Sequence, residues 1–238
     1  MALELAIIVP VYNEQDNVEP LWHELAAAMA SVSIGWELVF VDDGSTDGTW
    51  ERIADIRRKD PRVRGLRHAR NTGQSAALWT GLGATSTPLV ATLDGDRQND
   101  PADLPRMLAL LKEADFVSGM RLQRQDNWLR RVSSTIARWA RWAALGRQFR
   151  DTGCALRVFR RGVLAGIPGF HGVHRFLPVL VASGGWKTRE VPVHHRPRAA
   201  GVSKYGVWNR LARGLYDLVG VGWFQRRRIR SVPFEALE

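Results

Sequence analysis

Short apolar segments alternate along the chain with longer amphipathic segments, and this alternation restricts the fold more than any other feature. Most of the apolar segments are rich in Val, Ile and Leu. Runs of this length indicate buried strands, and the segments between them have helical spacing. Strands are predicted at residues 5–11, 37–41, 63–67, 89–93 and 115–119, and helices at 17–30, 49–59, 75–84 and 103–112. The pattern predicts an α/β fold with a mainly parallel central sheet flanked by helices on both faces.

Composition narrows the class of protein further. Of the 238 residues 45% are hydrophobic, enough for one sizeable core, so we expect one domain over residues 1–205 and a basic C-terminal extension over 206–238. The formal net charge of +10 suits phosphate groups, nucleic acid or an anionic lipid surface. The single cysteine, Cys154, excludes an internal disulfide and favours a reducing compartment.

No segment is predicted to be a secretory leader or a membrane span. The first apolar run has no basic leader, and the uncharged stretch over 71–93 is interrupted by Gly, Ser, Thr and Pro88. A spanning helix needs about 20 consecutive, mainly apolar residues. We therefore expect a cytoplasmic protein without a transmembrane segment.

Two segments have a strongly amphipathic helical pattern. In residues 128–145 the large apolar side chains share one face and arginines the other. A second such helix is predicted at 208–219, followed by the basic cluster of Arg226, Arg227 and Arg228. Both helices fit core packing, and they also fit the headgroup layer of a membrane, which suits indole and guanidinium groups.

Three polar loops follow predicted strands. They span residues 10–14, 42–45 and 94–98. Ligands of open α/β sheets bind beyond the carboxyl ends of the strands, so the three loops are predicted to converge on one crevice. Asp94 and Asp96, two apart on a glycine turn, offer oxygen ligands for a hard divalent cation. Taken alone, the Asp-Gly-Asp turn also fits a solvated turn or a helix cap.

The complete set of motifs resembles glycosyltransferase family 2, and within it the dolichyl-phosphate mannosyltransferase-like branch of the GT-A enzymes. The resemblance covers residues 5–205 and rests on Val-Pro-Val-Tyr-Asn-Glu at 9–14, Val-Asp-Asp-Gly-Ser-Thr-Asp at 41–47, Asn-Thr-Gly at 71–73 and Leu-Asp-Gly-Asp-Arg-Gln-Asn-Asp-Pro at 93–101. Asp-Thr-Gly-Cys at 151–154 and Arg-Ala-Ala-Gly-Val-Ser-Lys-Tyr at 198–205 are similar to further motifs of that branch.

The resemblance implies a nucleotide-sugar site in the first half of the chain. The residues that would hold the nucleobase and the ribose are Pro10, Tyr12, Glu14 and Asp42. Asp94 and Asp96 would bind the diphosphate through Mg²⁺ or Mn²⁺, and Gln98 would complete the metal site.

The same resemblance implies a site for an acceptor phosphate in the second half. The residues that align with its positions are Arg121, Arg131, Ser134 and Arg198, with an ambiguous register between Arg130 and Arg131. The loop over 198–205 favours a lipid-phosphate acceptor, and its arginine, glycine and lysine could close over the donor and neutralise phosphates. His174 and Arg175 are expected to line the site, and the other histidines to be surface or packing residues.

The function implied is inverting transfer of a sugar from GDP-mannose or a UDP-sugar to a polyprenyl phosphate, dolichyl or undecaprenyl, on the cytoplasmic face of the membrane. The acceptor phosphate would attack the anomeric carbon directly, because a phosphate monoester is largely deprotonated at neutral pH. The residues assigned to catalysis are Asp96, Asp151, Arg198 and Lys204. Asp151 would orient the acceptor, and the motif alone does not make it a base.

Other readings stay open at this point. The same fold could act on a lipid A sugar, a glycan or a diacylglycerol, and a non-catalytic basic binding module is a third reading. Nucleic acid is not expected as a partner, because the sequence shows no DNA-recognition helix and no aromatic platform beside its basic residues. Many relatives in the branch carry transmembrane helices after the Ser-Lys-Tyr motif, whereas none is predicted in this sequence. Membrane contact is therefore expected to be peripheral or through a partner. The motifs do not distinguish the sugar, the base or the oligomeric state.

Overall fold

The computed structural model describes residues 2–121, 149–197 and 207–228, with the side chains of the last helix described from Tyr216 onward. These residues contain a seven-stranded sheet with the strand order β3-β2-β1-β4-β6-β5-β7. The strands are β1 (Leu3–Val11), β2 (Gly35–Asp42), β3 (Val63–Arg67), β4 (Leu89–Thr92), β5 (Phe116–Arg121), β6 (Arg157–Arg160) and β7 (Thr188–Val193).

The sheet is mainly parallel, and its first four strands are separated in sequence by helices. β1 lies between β2 and β4 and pairs in parallel with both, and β2 pairs in parallel with β3. β6 is the exception, because it pairs antiparallel with β4 and with β5. β7 pairs in parallel with β5 at the edge of the sheet. The carboxyl ends of the parallel strands and the start of β6 therefore lie along one edge.

Helices cover both faces of the sheet. They are α1 (Gln15–Met29), α2 (Thr49–Lys59), α3 (Gln74–Gly83), α4 (Leu104–Ala109), α5 (Val173–Ser183) and α6 (Val207–Arg227). Alternate residues of β1 enter different cores, because successive side chains of a strand point to opposite faces. Leu5 and Ile7 pack in the core that includes residues of α1, α2 and α4. Ala6 and Ile8 pack in the core that includes residues of α3, α5 and α6.

The predicted fold class is confirmed, and all five predicted strands are present with small shifts at their ends. The predicted helices over 17–30, 49–59 and 75–84 correspond to α1, α2 and α3. The segment predicted as one helix over 103–112 is instead α4 between two short 3-10 turns, Pro101–Asp103 and Leu110–Lys112. The helix predicted at 208–219 continues further, to Arg227.

Two predictions remain untested at this level. The predicted amphipathic helix over 128–145 lies outside the described residues, and the boundary at residue 205 between domain and extension stays a prediction. Among the residues that the structure describes, no helix combines the length and the apolar character needed to cross a membrane.

Candidate active site

The first two polar loops are joined by hydrogen bonds at the carboxyl ends of β1 and β2. The Asn13 N–H donates to Ser45 Oγ at 2.8 Å, and Asn13 Oδ1 accepts from the Thr46 N–H at 2.8 Å. The Glu14 N–H donates to Thr49 Oγ1 at 2.8 Å, at the start of α2. Asn13 has a φ of +53°, in the left-handed region that asparagine enters more readily than most residues. The first loop therefore has a defined position beside the second.

Asp43, the second aspartate of the second loop, anchors the Asn-Thr-Gly motif. Its carboxylate accepts hydrogen bonds from the Thr72 N–H at 2.9 Å, the Thr72 hydroxyl at 2.8 Å and the Gly73 N–H at 2.7 Å. His68 Nδ1 lies 2.7 Å from the same carboxylate. Burial acts to raise the pKa of Asp43, but the hydrogen bonds from Thr72, His68 and Gly73 outweigh burial and lower it. Asp43 thus stays ionised and holds the loop before α3.

Asp42, the first aspartate of that loop, is fully buried at the end of β2. Its Oδ1 accepts from the Ser45 N–H at 2.9 Å. Its Oδ2 has no hydrogen bond and lies 3.3 Å from Arg67 Nε. A buried acceptor without a donor is uncommon in folded proteins. The predicted role of Asp42 in nucleoside binding stays a prediction.

A cavity opens between the loop that follows β2 and the loop that follows β3. It has a volume of about 510 Å³, within the range of small-molecule sites, and its lining residues are Gly44, Ser45, Thr46, Arg67, His68 and Ala69. The Arg67 guanidinium carbon lies 5.5 Å from the centre of the Trp50 ring, and its Nη2 donates to the Ser45 carbonyl at 3.1 Å. The cavity wall is therefore built from the end of β3 and from the loops that follow β2 and β3.

The third loop lies close against the first, and this is possible because Gly95 has no side chain. A Cβ at Gly95 would lie 2.5 Å from Val11 Cγ1 and 3.2 Å from the Pro10 carbonyl oxygen. Pro10 and Val11 end β1, so the close approach brings the Asp-Gly-Asp turn next to the predicted nucleotide loop. Only glycine permits this approach without a shift of the backbone.

The two aspartates of the turn have partners on either side of Gly95. Asp94 Oδ1 accepts from Gln74 Nε2 at 2.6 Å, at the start of α3. Asp96 is buried, and its Oδ1 accepts from the Gln98 N–H at 3.2 Å. The Gln98 side-chain amide donates to the Arg196 carbonyl at 3.5 Å. The turn is thus held from α3 on one side and from residue 196 on the other.

Asp94, Asp96 and Gln98 fit a cation that is shared with a substrate. Within the described ranges no three side chains of His, Cys, Asp or Glu form a group that could hold a metal ion. Two carboxylates and one amide leave coordination positions for phosphate oxygens and water. Mg²⁺ is commonly bound in this way, by one or two carboxylates plus substrate phosphates, and Mn²⁺ accepts the same oxygen ligands.

Arg121 and Asp151 form a two-pronged ion pair at the same edge of the sheet. Arg121 Nε donates to Asp151 Oδ2 at 2.7 Å, and Arg121 Nη2 donates to Oδ1 at 2.8 Å. Burial lowers the pKa of Arg121, but the hydrogen bond and the charge of Asp151 outweigh burial and raise it. Both oxygens of Asp151 contact Arg121. In this structure Asp151 therefore orients a residue that is predicted to bind the acceptor phosphate.

Arg157 is a buried cation that the sequence reasoning missed. Its side chain lies at the start of β6 and the residue is only 2% exposed. Its Nη2 donates to the Thr152 carbonyl at 3.0 Å, and its Nε has no hydrogen bond. Burial lowers the pKa of Arg157 to about 10, although Cys154, Asp94 and Asp151 act to raise it, so the guanidinium is charged at neutral pH. An arginine inside the apolar run over 156–159 was the available signal.

α5 brings His174 and Arg175 to the α3 side of the site. His174 Nδ1 lies 2.6 Å from Ser75 Oγ, and Ser75 follows Gln74, the partner of Asp94. Arg175 Nη2 donates to Asp217 Oδ2 at 2.9 Å, which ties α5 to α6. Both residues were expected to line the site, and that role stays a prediction.

The structure thus brings most of the predicted site residues to one edge of the sheet. They are Pro10, Tyr12, Glu14, Asp42, Asp94, Asp96, Gln98, Arg121 and Asp151. Apart from His174 and Arg175 on α5, the remaining predicted residues lie outside the described ranges: Arg131, Ser134, Arg198 and Lys204.

Comparison with known families agrees with this fold and this set of motifs. The chain matches the model of Glycosyl transferase family 2 over residues 6–167, more than half of its 238 residues. It belongs to this family, as the motifs predicted, and is therefore a glycosyltransferase by class.

Two relatives narrow the comparison. The chain is 38% identical over 239 aligned residues to the dodecaprenyl-phosphate galacturonate synthase of Rhizobium johnstonii, and the match covers 98% of this chain and 70% of the relative. It is 36% identical over 217 residues to the undecaprenyl-phosphate 4-deoxy-4-formamido-L-arabinose transferase of Edwardsiella ictaluri, covering 90% of this chain and 66% of that protein. The chain thus spans about two thirds of the length of these relatives, both of which are polyprenyl-phosphate sugar transferases by name.

Solved structures share the fold at lower sequence identity. Glucosyl-3-phosphoglycerate synthase from Mycobacterium tuberculosis, in complex with Mn²⁺, UDP and phosphoglyceric acid, superposes with a TM-score of 0.69 at 19% identity. That match covers 97% of this chain and 80% of the other. Mannosyl-3-phosphoglycerate synthase from Rubrobacter xylanophilus gives a TM-score of 0.67 at 16% identity, covering 99% and 79%. These likenesses establish the GT-A fold of the chain.

Proposed function

We propose that the protein transfers a sugar from a nucleotide-sugar to a polyprenyl phosphate, with inversion at the anomeric carbon and release of a nucleoside diphosphate. The observation that carries the proposal is that the three polar loops meet at the edge of the sheet that also holds the Arg121–Asp151 pair. One half of this edge offers oxygen ligands, and the other offers a cation. That division suits a donor diphosphate beside an acceptor phosphate.

The donor half is assigned to the loops after β1 and β2. Pro10, Tyr12, Glu14 and Asp42 are the residues that would hold the base and the ribose. The hydrogen bonds between Asn13 and the second loop support this assignment, because they set the position of the first loop before any ligand binds. Preorganised loops lose less conformational entropy on binding.

Asp94, Asp96 and Gln98 would hold a Mg²⁺ or Mn²⁺ ion between the third loop and the diphosphate. A bound divalent cation neutralises charge on the leaving diphosphate. Gly95 supports this assignment, because it lets the two aspartates approach Pro10 and Val11 in the nucleotide loop. The fold-level neighbour from Mycobacterium tuberculosis carries Mn²⁺ and UDP together, which fits the same arrangement.

The acceptor half is assigned to Arg121, held by Asp151, with Arg131, Ser134, Arg198 and Lys204 as further predicted contacts. Asp151 acts as a positioning residue, because its carboxylate is matched to the Arg121 guanidinium at 2.7 and 2.8 Å. The acceptor is itself an anionic nucleophile at neutral pH, so no strong general base is required. The chain contributes placement of the two phosphates and stabilisation of their charge.

Membrane contact is assigned to the basic C-terminal region, with the protein peripheral on the cytoplasmic face. On α6, Tyr216, Val219 and Trp223 are 82%, 73% and 64% exposed, at helical spacing i, i+3 and i+7. Arg226 and Arg227 follow in the last turn. An exposed apolar row next to arginines suits the headgroup layer of an anionic bilayer, where a polyprenyl phosphate also resides.

The donor is best tested with a panel of labelled GDP-mannose, UDP-glucose and UDP-galacturonate, with undecaprenyl phosphate as acceptor in detergent and Mn²⁺ or Mg²⁺. UDP-galacturonate enters the panel because one relative is a galacturonate synthase by name. The proposal predicts a chloroform-extractable product that mild acid hydrolyses, since a glycosyl phosphate is acid-labile. An acid-stable lipid product would indicate a different acceptor, and salt-sensitive DNA binding without any sugar transfer would indicate a basic binding module.

A further inference from the structure

Four charges of alternating sign link α1, the metal loop (residues 94–100) and the segment after β7. Glu24 of α1 accepts from Arg97 Nε at 3.1 Å and from Arg97 Nη2 at 2.5 Å. Its other oxygen accepts from Arg196 Nη1 at 2.9 Å. Arg196 Nη2 lies 2.7 Å from Asp100 Oδ2, and Asp100 belongs to the metal loop. Glu24 is the member that contacts both arginines.

The two arginines are attached to the metal loop in different ways. Arg97 directly follows Asp96 and has a φ of +59°, a left-handed conformation that is uncommon for arginine and costs free energy. Such a conformation persists when surrounding contacts hold it, and the Arg97 side chain has its hydrogen bonds to Glu24. A change at Glu24 would therefore act on the backbone next to Asp96.

Arg196 acts on Gln98, the third predicted metal ligand. The Arg196 N–H donates to the Gln98 carbonyl at 2.8 Å, and the Gln98 side-chain amide donates to the Arg196 carbonyl at 3.5 Å. An antiparallel bridge between Asn99 and His195 continues the pairing. These contacts use the amide nitrogen of Gln98 and leave its oxygen as the atom suited to a cation.

We propose that Glu24 is a positioning residue for the metal loop, acting through Arg97 and Arg196 to hold Asp96 and Gln98 in the arrangement that binds the divalent cation. The proposal rests on the proposed function for its metal assignment. Glu24 lies on α1 and belongs to none of the family motifs named above, so its role follows from these contacts alone. Ion pairs in a partly buried network contribute more than isolated surface pairs, whose effect is small.

The test is Glu24→Gln, which keeps the side-chain shape and removes its charge. We expect binding of Mn²⁺ in the presence of UDP or GDP, measured from the EPR signal of free Mn²⁺, to weaken about tenfold. The Mn²⁺ concentration for half-maximal transfer should rise by the same factor. The KM for undecaprenyl phosphate should stay within about twofold, because Arg121 and Asp151 are outside the network.

Two further variants make the comparison specific. Glu19→Gln is the matched control, since Glu19 also lies on α1 and pairs with Lys59 at 3.0 Å on the surface. It should bind Mn²⁺ like the wild type. Arg97→Gln should weaken Mn²⁺ binding as Glu24→Gln does. The double variant should bind Mn²⁺ no more weakly than either single variant, because both substitutions break the same Arg97–Glu24 pair.

Unchanged Mn²⁺ binding in Glu24→Gln would overturn the inference, as would a lower unfolding temperature without any loss of Mn²⁺ affinity. Equal losses in Glu19→Gln would do the same, and so would a wild type that binds no Mn²⁺. The Mn²⁺ measurement needs no catalysis. A wild type that binds Mn²⁺ with nucleotide but transfers no sugar to a polyprenyl phosphate would therefore contradict the proposed function and still decide the role of Glu24.

Discussion

At the scale of single residues, the site depends on one position where only glycine fits. Gly95 separates Asp94 from Asp96 and lies against Val11 and Pro10. The two carboxylates take their positions from this contact. A methyl group at residue 95 therefore affects the predicted metal site without removing any of its ligands.

Gly95→Ala should lower both stability and transfer activity. The added Cβ would lie 2.5 Å from Val11 Cγ1, so the turn or β1 must move. Overpacking of this kind costs about 1–3 kcal/mol, and displaced aspartates should reduce kcat at least about tenfold. Gly83→Ala is the control, because a Cβ there meets no atom within 4 Å. Urea unfolding and transfer assays that give the same values for both variants would contradict the account.

Asp60 gives a prediction on pH at the same scale. The Asp60 carboxylate accepts from Arg62 Nη2 at 2.8 Å and from Trp22 Nε1 at 3.0 Å. The hydrogen bond from Arg62, with Trp22 adding to it and burial opposing it, lowers the pKa of Asp60 from 3.8 to about 2. A lowered pKa means that the ionised form stabilises the fold above pH 4, and that this contribution is lost as the pH falls towards 2.

Asp60→Asn should therefore lower the free energy of unfolding by about 2 kcal/mol at pH 7, with the difference from wild type shrinking between pH 4 and pH 2. Urea unfolding across this range measures it. Asp55→Asn, which removes a surface ion pair with Arg58, should change stability by less than about 1 kcal/mol. A difference for Asp60→Asn that does not depend on pH would show that the carboxylate charge is not responsible.

At the scale of elements, β1 to β5 and the helices between the first four strands could be predicted, whereas β6, β7 and α5 could not, for identifiable reasons. β1, β2 and β4 are buried on both faces and give continuous apolar runs. β6 is four residues long and contains buried Arg157, and β7 is an edge strand that contains Pro192, so neither gives such a run. α5 contains Pro178, a residue that normally indicates a helix end. The spacing of Val191 and Val193, two residues apart, was the usable signal in β7.

α6 carries the prediction that belongs to this scale. Replacing Tyr216, Val219 and Trp223 together by Ser should reduce binding to vesicles that contain phosphatidylglycerol at least about tenfold, because the exposed apolar row is lost. The unfolding temperature should change little, since the buried face of the helix keeps Leu218 and Val221. Trp186→Ser, at an exposed tryptophan outside α6, should leave vesicle binding unchanged. Full vesicle binding by the triple variant would remove α6 from the membrane assignment.

At the scale of the whole molecule, the edge of the sheet that the motifs indicated is the edge where their residues meet. Sequence order and strand ends were sufficient to place Tyr12, Asp42 and Asp94 there. They were not sufficient for Glu24, because its contacts with Arg97 and Arg196 join parts of the chain far apart in sequence. Arg157 was missed although its hydrogen bond to Thr152 is local, because it lies in none of the motifs. The pairing of Arg121 with Asp151 could likewise not be predicted from the sequence, since a motif identifies residues and not their partners.

The chain is a GT-A glycosyltransferase. We propose a donor half built from the loops after β1, β2 and β4, and an acceptor half built from β5 and the loop before β6. On this proposal the motif residues supply the chemistry, and the neighbouring contacts set its geometry. The central claim is that the Asp-Gly-Asp turn supports metal-dependent transfer to a lipid phosphate.

The most direct measurement is transfer of labelled sugar to undecaprenyl phosphate at graded Mn²⁺, comparing wild type, Asp96→Ala and Asp16→Ala. Asp16 lies in the first turn of α1 and serves as the matched carboxylate control. We expect Mn²⁺-dependent label in the organic phase for wild type and Asp16→Ala, and a loss of at least about 100-fold for Asp96→Ala. Full metal-dependent turnover by Asp96→Ala would contradict the account.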